Sequence, residues 1–142
     1  MSLTETPICN FNEEAKDFKL LSTEGKKISL KDIKGKNGTL VMFICNHCPY
    51  VKAVIKDISV DLTNLEKLGI RSVAIMSNDT KNYPEDSFDN MILFSKKYNF
   101  TFPYVIDDTQ EIAKRYGAVC TPDFFGYNKD LKLQYRGRFK EL

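Results

Sequence analysis

The sequence of 142 residues lacks several features that mark special classes of protein. No apolar run approaches the roughly 20 residues that a membrane span needs. No basic block is interleaved with aromatic residues, as it is in many proteins that bind nucleic acid. There is no internal repeat and no low-complexity tract. We therefore expect neither a membrane nor a nucleic acid among the partners.

Cysteine and histidine are also scarce. The chain has four cysteines and one histidine, and four cysteines are too few for the disulfide framework of a secreted protein of this length. The N-terminus has no basic region followed by an apolar core, so no secretory signal is predicted. We expect a cytoplasmic location, or a periplasmic one if a leader preceded residue 1 and was removed.

What the chain does contain is typical of one globular domain over residues 1–142. Hydrophobic residues make up 42% and charged residues 28%, and the 21 basic and 19 acidic residues are spread along the whole length. A chain of this size buries a core without covalent cross-links. The four cysteines are therefore free to carry chemistry.

The hydrophobic pattern alternates between strand and helix periods. Residues 39–44 and 70–76 are predicted to be buried strands, and residues 51–68 have the apolar spacing of a helix, with Gly69 as its C-terminal cap. The other predicted elements are a strand pair around residues 24–25, a helix over 87–98, a strand over 102–107, a short helix opened by a capping box of Asp108 and Glu111 and ending at Gly117, and a C-terminal hairpin turning at 128–130. This order indicates an α/β fold with a central mixed β-sheet flanked by helices and an N-terminal β-hairpin.

The stretch FICNHCPYV, residues 43–51, places Cys45 and Cys48 where a buried strand meets the start of a long helix. Pro49 is tolerated there because first-turn N–H groups have no intrahelical partner. The positive end of the helix should stabilise a thiolate at Cys45, and His47 should add to this effect. Cys48 can then resolve a mixed disulfide formed by Cys45, so the spacing favours thiol–disulfide exchange.

A soft-metal site made by Cys45, His47 and Cys48 is an alternative of a different class. A structural zinc site needs about four ligands, and the sequence offers no second CxxC motif and no distant histidine. A purely structural disulfide gains little from closing so short a loop. We therefore predict redox exchange, with no bound metal and no cofactor.

Longer stretches carry a family resemblance that covers residues 17–139. They are DFKLLSTEGKKISLKDIKGKNGTLVMF, CNHCPYVKAV, SNDTKNYPEDSFDNM and FPYVIDDTQEIAKRYGAVCTPDFFGYNKDLKLQYRGRF. The chain resembles the thioredoxin superfamily, in its peroxiredoxin-like (AhpC/TSA) and TlpA/ResA-like thiol-redox branch, and most closely a bacterial thioredoxin-like subgroup with the same CNHCP motif. The resemblance implies a thioredoxin-like fold and a thiol–disulfide oxidoreductase.

The resemblance also implies roles for single residues. Cys45 would be the nucleophile and Cys48 the resolving thiol. Pro122 would be the cis-proline that faces them, and Thr121 would offer backbone hydrogen bonds to a bound substrate segment. His47 stands where more oxidising relatives carry histidine, which predicts a reduction potential above that of thioredoxin. The partners would be disulfide-containing proteins or small thiols, together with an unidentified electron donor.

Three departures from the family pattern bear on the reaction. Met42 stands three residues before Cys45, where a peroxidatic site has Thr or Ser, so the alternative function of thiol peroxidase and antioxidant lacks its peroxide-orienting hydroxyl. The strand TLVMFI holds no acidic residue, so no proton acceptor is assigned. Ile44 replaces the tryptophan that precedes the first cysteine of thioredoxins.

Two features remain open at the C-terminal end. Cys120, two residues before Pro122, is either a small buried residue or an auxiliary thiol that exchanges disulfides with Cys45. Related folds close with a helix after the terminal hairpin, and the sequence stops at Leu142 without one. We therefore expect the C-terminal helix to be missing, and an uncovered apolar face would favour a homodimer.

Overall fold

Seven strands form one sheet in the order β2-β1-β5-β4-β3-β6-β7. The structure is a computed structural model that describes residues 9–118 and 121–138. Cys120 and any element after residue 138 lie outside the described residues. The elements are β1 (Lys19–Ser22), β2 (Lys27–Ser29), a 3-10 helix (Lys31–Ile33), β3 (Gly38–Phe43), α1 (Pro49–Glu66), β4 (Ile70–Met76), a 3-10 helix (Pro84–Asp86), α2 (Phe88–Lys97), β5 (Tyr104–Ile106), α3 (Glu111–Tyr116), β6 (Asp123–Asn128) and β7 (Leu133–Arg138).

The centre of the sheet is parallel and its edges are antiparallel, as the mixed-sheet prediction requires. Strand β4 pairs in parallel with both β3 and β5, and helices α1 and α2 make the two crossovers. The N-terminal hairpin of β1 and β2 joins one edge through β5, and the hairpin of β6 and β7 joins the other through β3. Among the described helices, none is long and apolar enough to cross a bilayer.

Strand β3 is buried on both faces, so its residues divide between two cores. Val41 and Phe43 pack into the first core, whereas Met42 and Ile44 pack into the second, because successive side chains of a strand point to opposite faces. Helices α1 and α2 cover the second core, which also contains Cys45 and Cys48; it consists of Met42, Ile44, Cys45, Cys48, Val51, Ile55, Leu62, Ala74, Met76, Met91, Phe94, Phe102 and Tyr104. The end of β3 therefore delivers the cysteine pair into an apolar interior.

The sequence predicts a capping residue at the end of α1 and a capping box at the start of α3. Helix α1 ends at Glu66 with Lys67 as its C-cap residue, two residues before the predicted cap; Gly69, at φ +81°, lies in the turn that follows and donates its N–H to the carbonyl of Glu66. The capping box of Asp108 and Glu111 is wrong: Gln110 is the N-cap residue of α3 and makes no side-chain cap. Asp107 instead accepts the N–H of Ala113 at 3.0 Å. The carboxylate that holds this helix thus comes from the residue next to the strand.

Candidate active site

The cysteine pair lies at the carboxyl end of the central strand β3. Residues 44–48 connect β3 to α1, and Cys48 is the N-cap residue of the helix. Parallel strands β3, β4 and β5 all end at this edge of the sheet. Loops at the carboxyl ends of parallel strands are where open α/β sheets bind their ligands.

The register of β6 against β3 brings Thr121 and Pro122 to the same place. Phe43 pairs with Asp123, so the residues just before β6 lie beside the residues just after β3. The Thr121–Pro122 peptide bond is cis. The Thr121 hydroxyl lies 3.5 Å from the sulfur of Cys45, and the Thr121 carbonyl accepts a hydrogen bond from Cys48 at 3.6 Å. The predicted site residues Cys45, Cys48 and Thr121 therefore meet.

Both sulfurs are removed from water, with 1% of Cys45 and 2% of Cys48 exposed. Their mutual hydrogen bond raises the pKa of Cys45, and burial and the nearby Asp86 carboxylate act in the same direction. The same hydrogen bond lowers the pKa of Cys48 to about 5. The two thiols therefore titrate as a coupled pair, in which Cys48 is the more acidic group.

The N-terminal end of α1 faces the sulfur of Cys48, whereas the sequence predicts that it stabilises a thiolate at Cys45. The first-turn N–H groups of Tyr50 and Val51 stabilise negative charge on Cys48, although the Cys48 side chain makes no capping hydrogen bond of ordinary geometry. Cys48 is the N-cap residue, so these amides face it rather than Cys45. The helix start therefore lowers the pKa of Cys48, in addition to the larger effect of the hydrogen bond with Cys45.

Asp86 is a fully buried carboxylate beside the pair, at 0% exposure. One of its oxygens accepts the backbone N–H of Asn46 at 2.7 Å, and the other accepts the side-chain amide of Asn78 at 2.9 Å. Asp86 lies at the end of the 3-10 helix Pro84–Asp86, about forty residues along the chain from Cys45. It therefore ties the loop between the cysteines to a separate segment.

His47 lies between Asp86 and solvent. Its Nδ1 atom is 2.6 Å from Oδ2 of Asp86, and its side chain is 29% exposed. The carboxylate oxygen is not in line with a ring N–H, so the contact is a charge contact without an aligned hydrogen bond. The ring of His47 stacks on that of Tyr83, with centroids 4.9 Å apart and planes 7° apart.

Asn46 completes the anchoring of the loop. Its side-chain amide donates to the carbonyl of Glu85 at 3.0 Å, and its side-chain oxygen accepts the hydroxyl of Tyr104 at 2.8 Å. Burial raises the pKa of Tyr104 well above its ordinary value, so the phenol stays a neutral donor. Both residues between the cysteines are thus fixed by partners far away in sequence.

A groove of about 520 Å³ opens beside the pair. Its lining residues are Phe43, Cys45, His47, Cys48, Pro49, Ser77, Asn78, Tyr83, Gln110, Ala113, Lys114, Ala118 and Thr121. Cys9 does not belong to this site, because it packs against the first core on the other face of the sheet. The groove thus borders both cysteines and Thr121.

The sequence pattern of the AhpC/TSA family matches residues 11–136 of the chain. The chain belongs to the AhpC/TSA family. This match covers both cysteines, the Asp86 segment and Thr121–Pro122. It confirms the family that the motifs indicate.

Relatives of this AhpC/TSA protein agree with that assignment. It is 31% identical over 121 residues to the thiol-disulfide oxidoreductase ResA of Bacillus thuringiensis, an alignment that covers 85% of this chain and 65% of the relative. An uncharacterized conserved protein from Geobacillus kaustophilus is 40% identical, with a TM-score of 0.94 over 100% of this chain and 76% of that one. The chain thus spans just under two thirds of the curated relatives it matches.

A more distant structure shows the fold. A secreted disulfide oxidoreductase of Mycobacterium tuberculosis superposes with a TM-score of 0.69 at 20% identity, covering 82% of this chain and 80% of that one. This likeness confirms the thioredoxin-like fold that the resemblance implies.

Sequence reasoning missed Asp86 in this AhpC/TSA protein. The absence of an acid from β3 led to the conclusion that no proton acceptor could be named, whereas the buried carboxylate comes from the loop after β4. The signal was present in the polar stretch SNDTKNYPED, which places Asn78 and Asp86 in one loop between a strand and a helix. Nothing in that stretch has a periodicity that marks one acid as buried.

Proposed function

We propose that this protein is a thiol–disulfide oxidoreductase, in which Cys45 and Cys48 exchange electrons with disulfide-containing proteins or small thiols. The observation that supports this most strongly is the pair itself. Two buried sulfurs lie at a helix start and are both in contact with Thr121. A thiolate held at neutral pH beside a second thiol is the requirement for the two steps of exchange.

Thr121 allows the charge to move from Cys48 to Cys45. Attack by Cys45 requires its proton to pass to Cys48, along the hydrogen bond that the pair already makes. The Thr121 carbonyl accepts from a protonated Cys48 at 3.6 Å, and the Thr121 hydroxyl can donate to a Cys45 thiolate at 3.5 Å. Thr121 therefore stabilises the attacking form of the pair, in addition to its expected role toward the substrate backbone.

The reaction then runs in two balanced steps. The Cys45 thiolate attacks one sulfur of the substrate disulfide, forms a mixed disulfide and releases the other substrate sulfur as a thiolate. Cys48 gives up its proton and attacks the sulfur of Cys45, which releases the second substrate thiol. The Cys45 thiolate and the Cys48 thiol together lose two electrons and one proton to the substrate disulfide, and the substrate sulfur released first takes its proton from water. Asp86, held by Asn46, keeps the loop between the two sulfurs in place during both steps.

Reduction of insulin by the protein, driven by a dithiol donor, tests this function. The Cys45→Ser variant should lose activity, and the Cys48→Ser variant should accumulate a mixed disulfide at Cys45 that mass spectrometry identifies. A mixed disulfide that accumulates at Cys48 in Cys45→Ser would reverse the assigned roles. Full activity in both variants would refute the function.

Separate measurements test the reduction potential and the reaction with peroxide. A potential above that of thioredoxin is proposed because the reduced pair carries a stabilised thiolate, and equilibration with glutathione buffers measures it. Peroxide consumption with a dithiol reductant tests the antioxidant alternative. The cytoplasmic location, the role in cell redox homeostasis and the homodimer stay predictions, as does the auxiliary role of Cys120.

A further inference from the structure

Three side chains with metal-binding atoms converge beside the redox pair. The sulfur of Cys45, a ring nitrogen of His47 and a carboxylate oxygen of Asp86 all lie within 4.8 Å of one another. Over residues 9–118 and 121–138, this is the one such group of three or more. We propose that Cys45, His47 and Asp86 form a binding site for one divalent, borderline-soft cation of the Zn²⁺ type, available in the reduced protein.

The donor set fits this class of cation. Thiolate, imidazole and carboxylate are the three ligand types that Zn²⁺ takes in proteins, and sites with three protein ligands keep a fourth position for water. The groove of about 520 Å³ is lined by Cys45 and His47 and provides both the entry path and room for that water. The set differs from the CxxC-based set that the sequence suggests, because Asp86 takes the place of Cys48.

The ligands are already oriented by their neighbours. The Asp86 carboxylate is held by Asn46 and Asn78, which act as the outer partners that fix a ligating carboxylate. The His47 ring is held by its stack on Tyr83. Its Nδ1 atom is buried, makes no aligned hydrogen bond and lies 2.6 Å from Oδ2 of Asp86, so the two ligand atoms are already adjacent.

Electrostatics favour a cation at this point. Asp86 and Cys45 are two acidic groups brought together in a buried site, where like charges repel strongly. A divalent cation removes that repulsion. The 2.6 Å contact between Nδ1 of His47 and Oδ2 of Asp86 must lengthen to admit the ion between them.

The site would respond to the redox state of the pair. When Cys45 and Cys48 pass two electrons and one proton to a substrate disulfide, Cys45 becomes half of a disulfide and ceases to be a thiolate ligand. The cation is then released, and reduction restores the site. This redox dependence rests on the proposed function, whereas metal binding by the reduced protein does not.

Titration of the reduced full chain with Co²⁺ under anaerobic conditions, followed by competition with Zn²⁺, tests the proposal. We expect one equivalent of Co²⁺ and an absorption band from thiolate-to-cobalt charge transfer. Cys48→Ser is the matched control, since it keeps all three ligands and should retain the band. Cys45→Ser, Asp86→Asn and His47→Phe should each weaken binding by about tenfold or more. His47→Phe keeps an aromatic ring for the stack on Tyr83. If circular dichroism shows that Asp86→Asn does not fold, His47→Phe alone tests the site.

Each other outcome overturns a part of the proposal. Loss of the band in Cys48→Ser would place the metal on the cysteine pair, and retention of wild-type affinity in His47→Phe would exclude the three-ligand site. Binding by the oxidised protein at wild-type affinity would refute the redox dependence. Insulin reduction by the metal-free protein is measured in parallel, so failure of the metal site and failure of the proposed function are told apart.

Discussion

Two buried carboxylates, Asp86 and Asp107, lie at the same edge of the sheet and have different roles. Asp107 is 1% exposed and uses one oxygen to accept the hydroxyl of Ser77 at 2.8 Å and the N–H of Ala113 at 3.0 Å. Asp86 is 0% exposed and also accepts two hydrogen bonds, from Asn46 and Asn78. Each carboxylate therefore joins two segments that are distant in sequence.

The two carboxylates differ in the other groups that they contact. Asp86 also contacts His47 at 2.6 Å and raises the pKa of Cys45, whereas Asp107 makes no ion pair among the described residues and faces no thiol. A buried carboxylate that contacts only hydrogen-bond donors serves to hold two segments of the fold together. The same group beside a thiol pair also changes the relative free energies of the reduced and oxidised protein. Three predictions separate these two roles, and a fourth concerns the rim of the site.

The largest effect expected is on ionisation of the pair. Reduced wild-type protein should show one thiolate that titrates near pH 5, against an ordinary thiol pKa of 9.0, because the pair shares a proton and the helix end stabilises Cys48. A depressed pKa in the folded state stabilises the fold fully above the unfolded value, and this contribution disappears as the pH falls through about 5. Ultraviolet absorbance of the thiolate measures the titration.

Two carboxylate variants sharpen that measurement. Asp107→Asn should titrate as the wild type does, whereas Asp86→Asn should lower the midpoint further by removing a negative charge near the pair. A wild-type midpoint near the ordinary thiol pKa would contradict the shared proton.

The second prediction concerns stability. Asp107→Ala should lower the free energy of unfolding by about 1–3 kcal/mol, because it leaves the Ser77 hydroxyl and the Ala113 N–H without their acceptor. Urea denaturation measures the change. The reduction potential of the folded variant should equal that of the wild type, and a shifted potential would show that Asp107 also acts on the thiols.

The third prediction concerns the potential itself. Asp86→Asn should raise the reduction potential by about 30 mV, the equivalent of one pKa unit, because it removes a repulsion that only the reduced, charged pair experiences. Equilibration with glutathione buffers measures it, with Asp107→Asn as the matched control. An unchanged or lower potential would mean that the Asp86 charge is fully compensated in the wild type.

The smallest effect is expected at the rim of the site. Tyr83→Leu should cost about 0.5 kcal/mol of stability by removing the stack on His47, since Tyr83 is itself 47% exposed. Tyr135→Leu is the matched control, because Tyr135 is 57% exposed and makes no ring contact among the described residues. Equal losses in the two variants would show that the stack adds nothing.

Much of the fold could be predicted because its signals are local. The two hairpins, the buried strands β3 and β4 and the helix that ends before Gly69 follow from turn residues and from hydrophobic periods of 2 and 3.6 residues. The capping of α3 could not, because Asp107 and Asp108 are both acidic and adjacent, and only the direction of the chain as it leaves β5 decides which one faces the helix.

The candidate site, like the fold, has some features that the sequence predicts and others that it does not. The sequence predicts the position of Cys45 and Cys48 at a strand–helix junction, and its CNHCP motif indicates the family. Which sulfur meets the helix amides depends on where α1 begins, and a shift of the helix start by a few residues would change the answer. The sequence pattern is too coarse to specify that.

The sequence by itself determined the chemistry that is available: two thiols one helical turn apart, an imidazole between them and a proline after them. Tertiary structure alone decided what surrounds that chemistry. Asp86 reaches the pair across about forty residues, and Thr121 across more than seventy, because the sheet register and the packing of the loop after β4 bring them there. Hydrogen bonds between segments so far apart carry no periodic signature, yet in a water-free interior they govern where the proton and the charge of the pair reside.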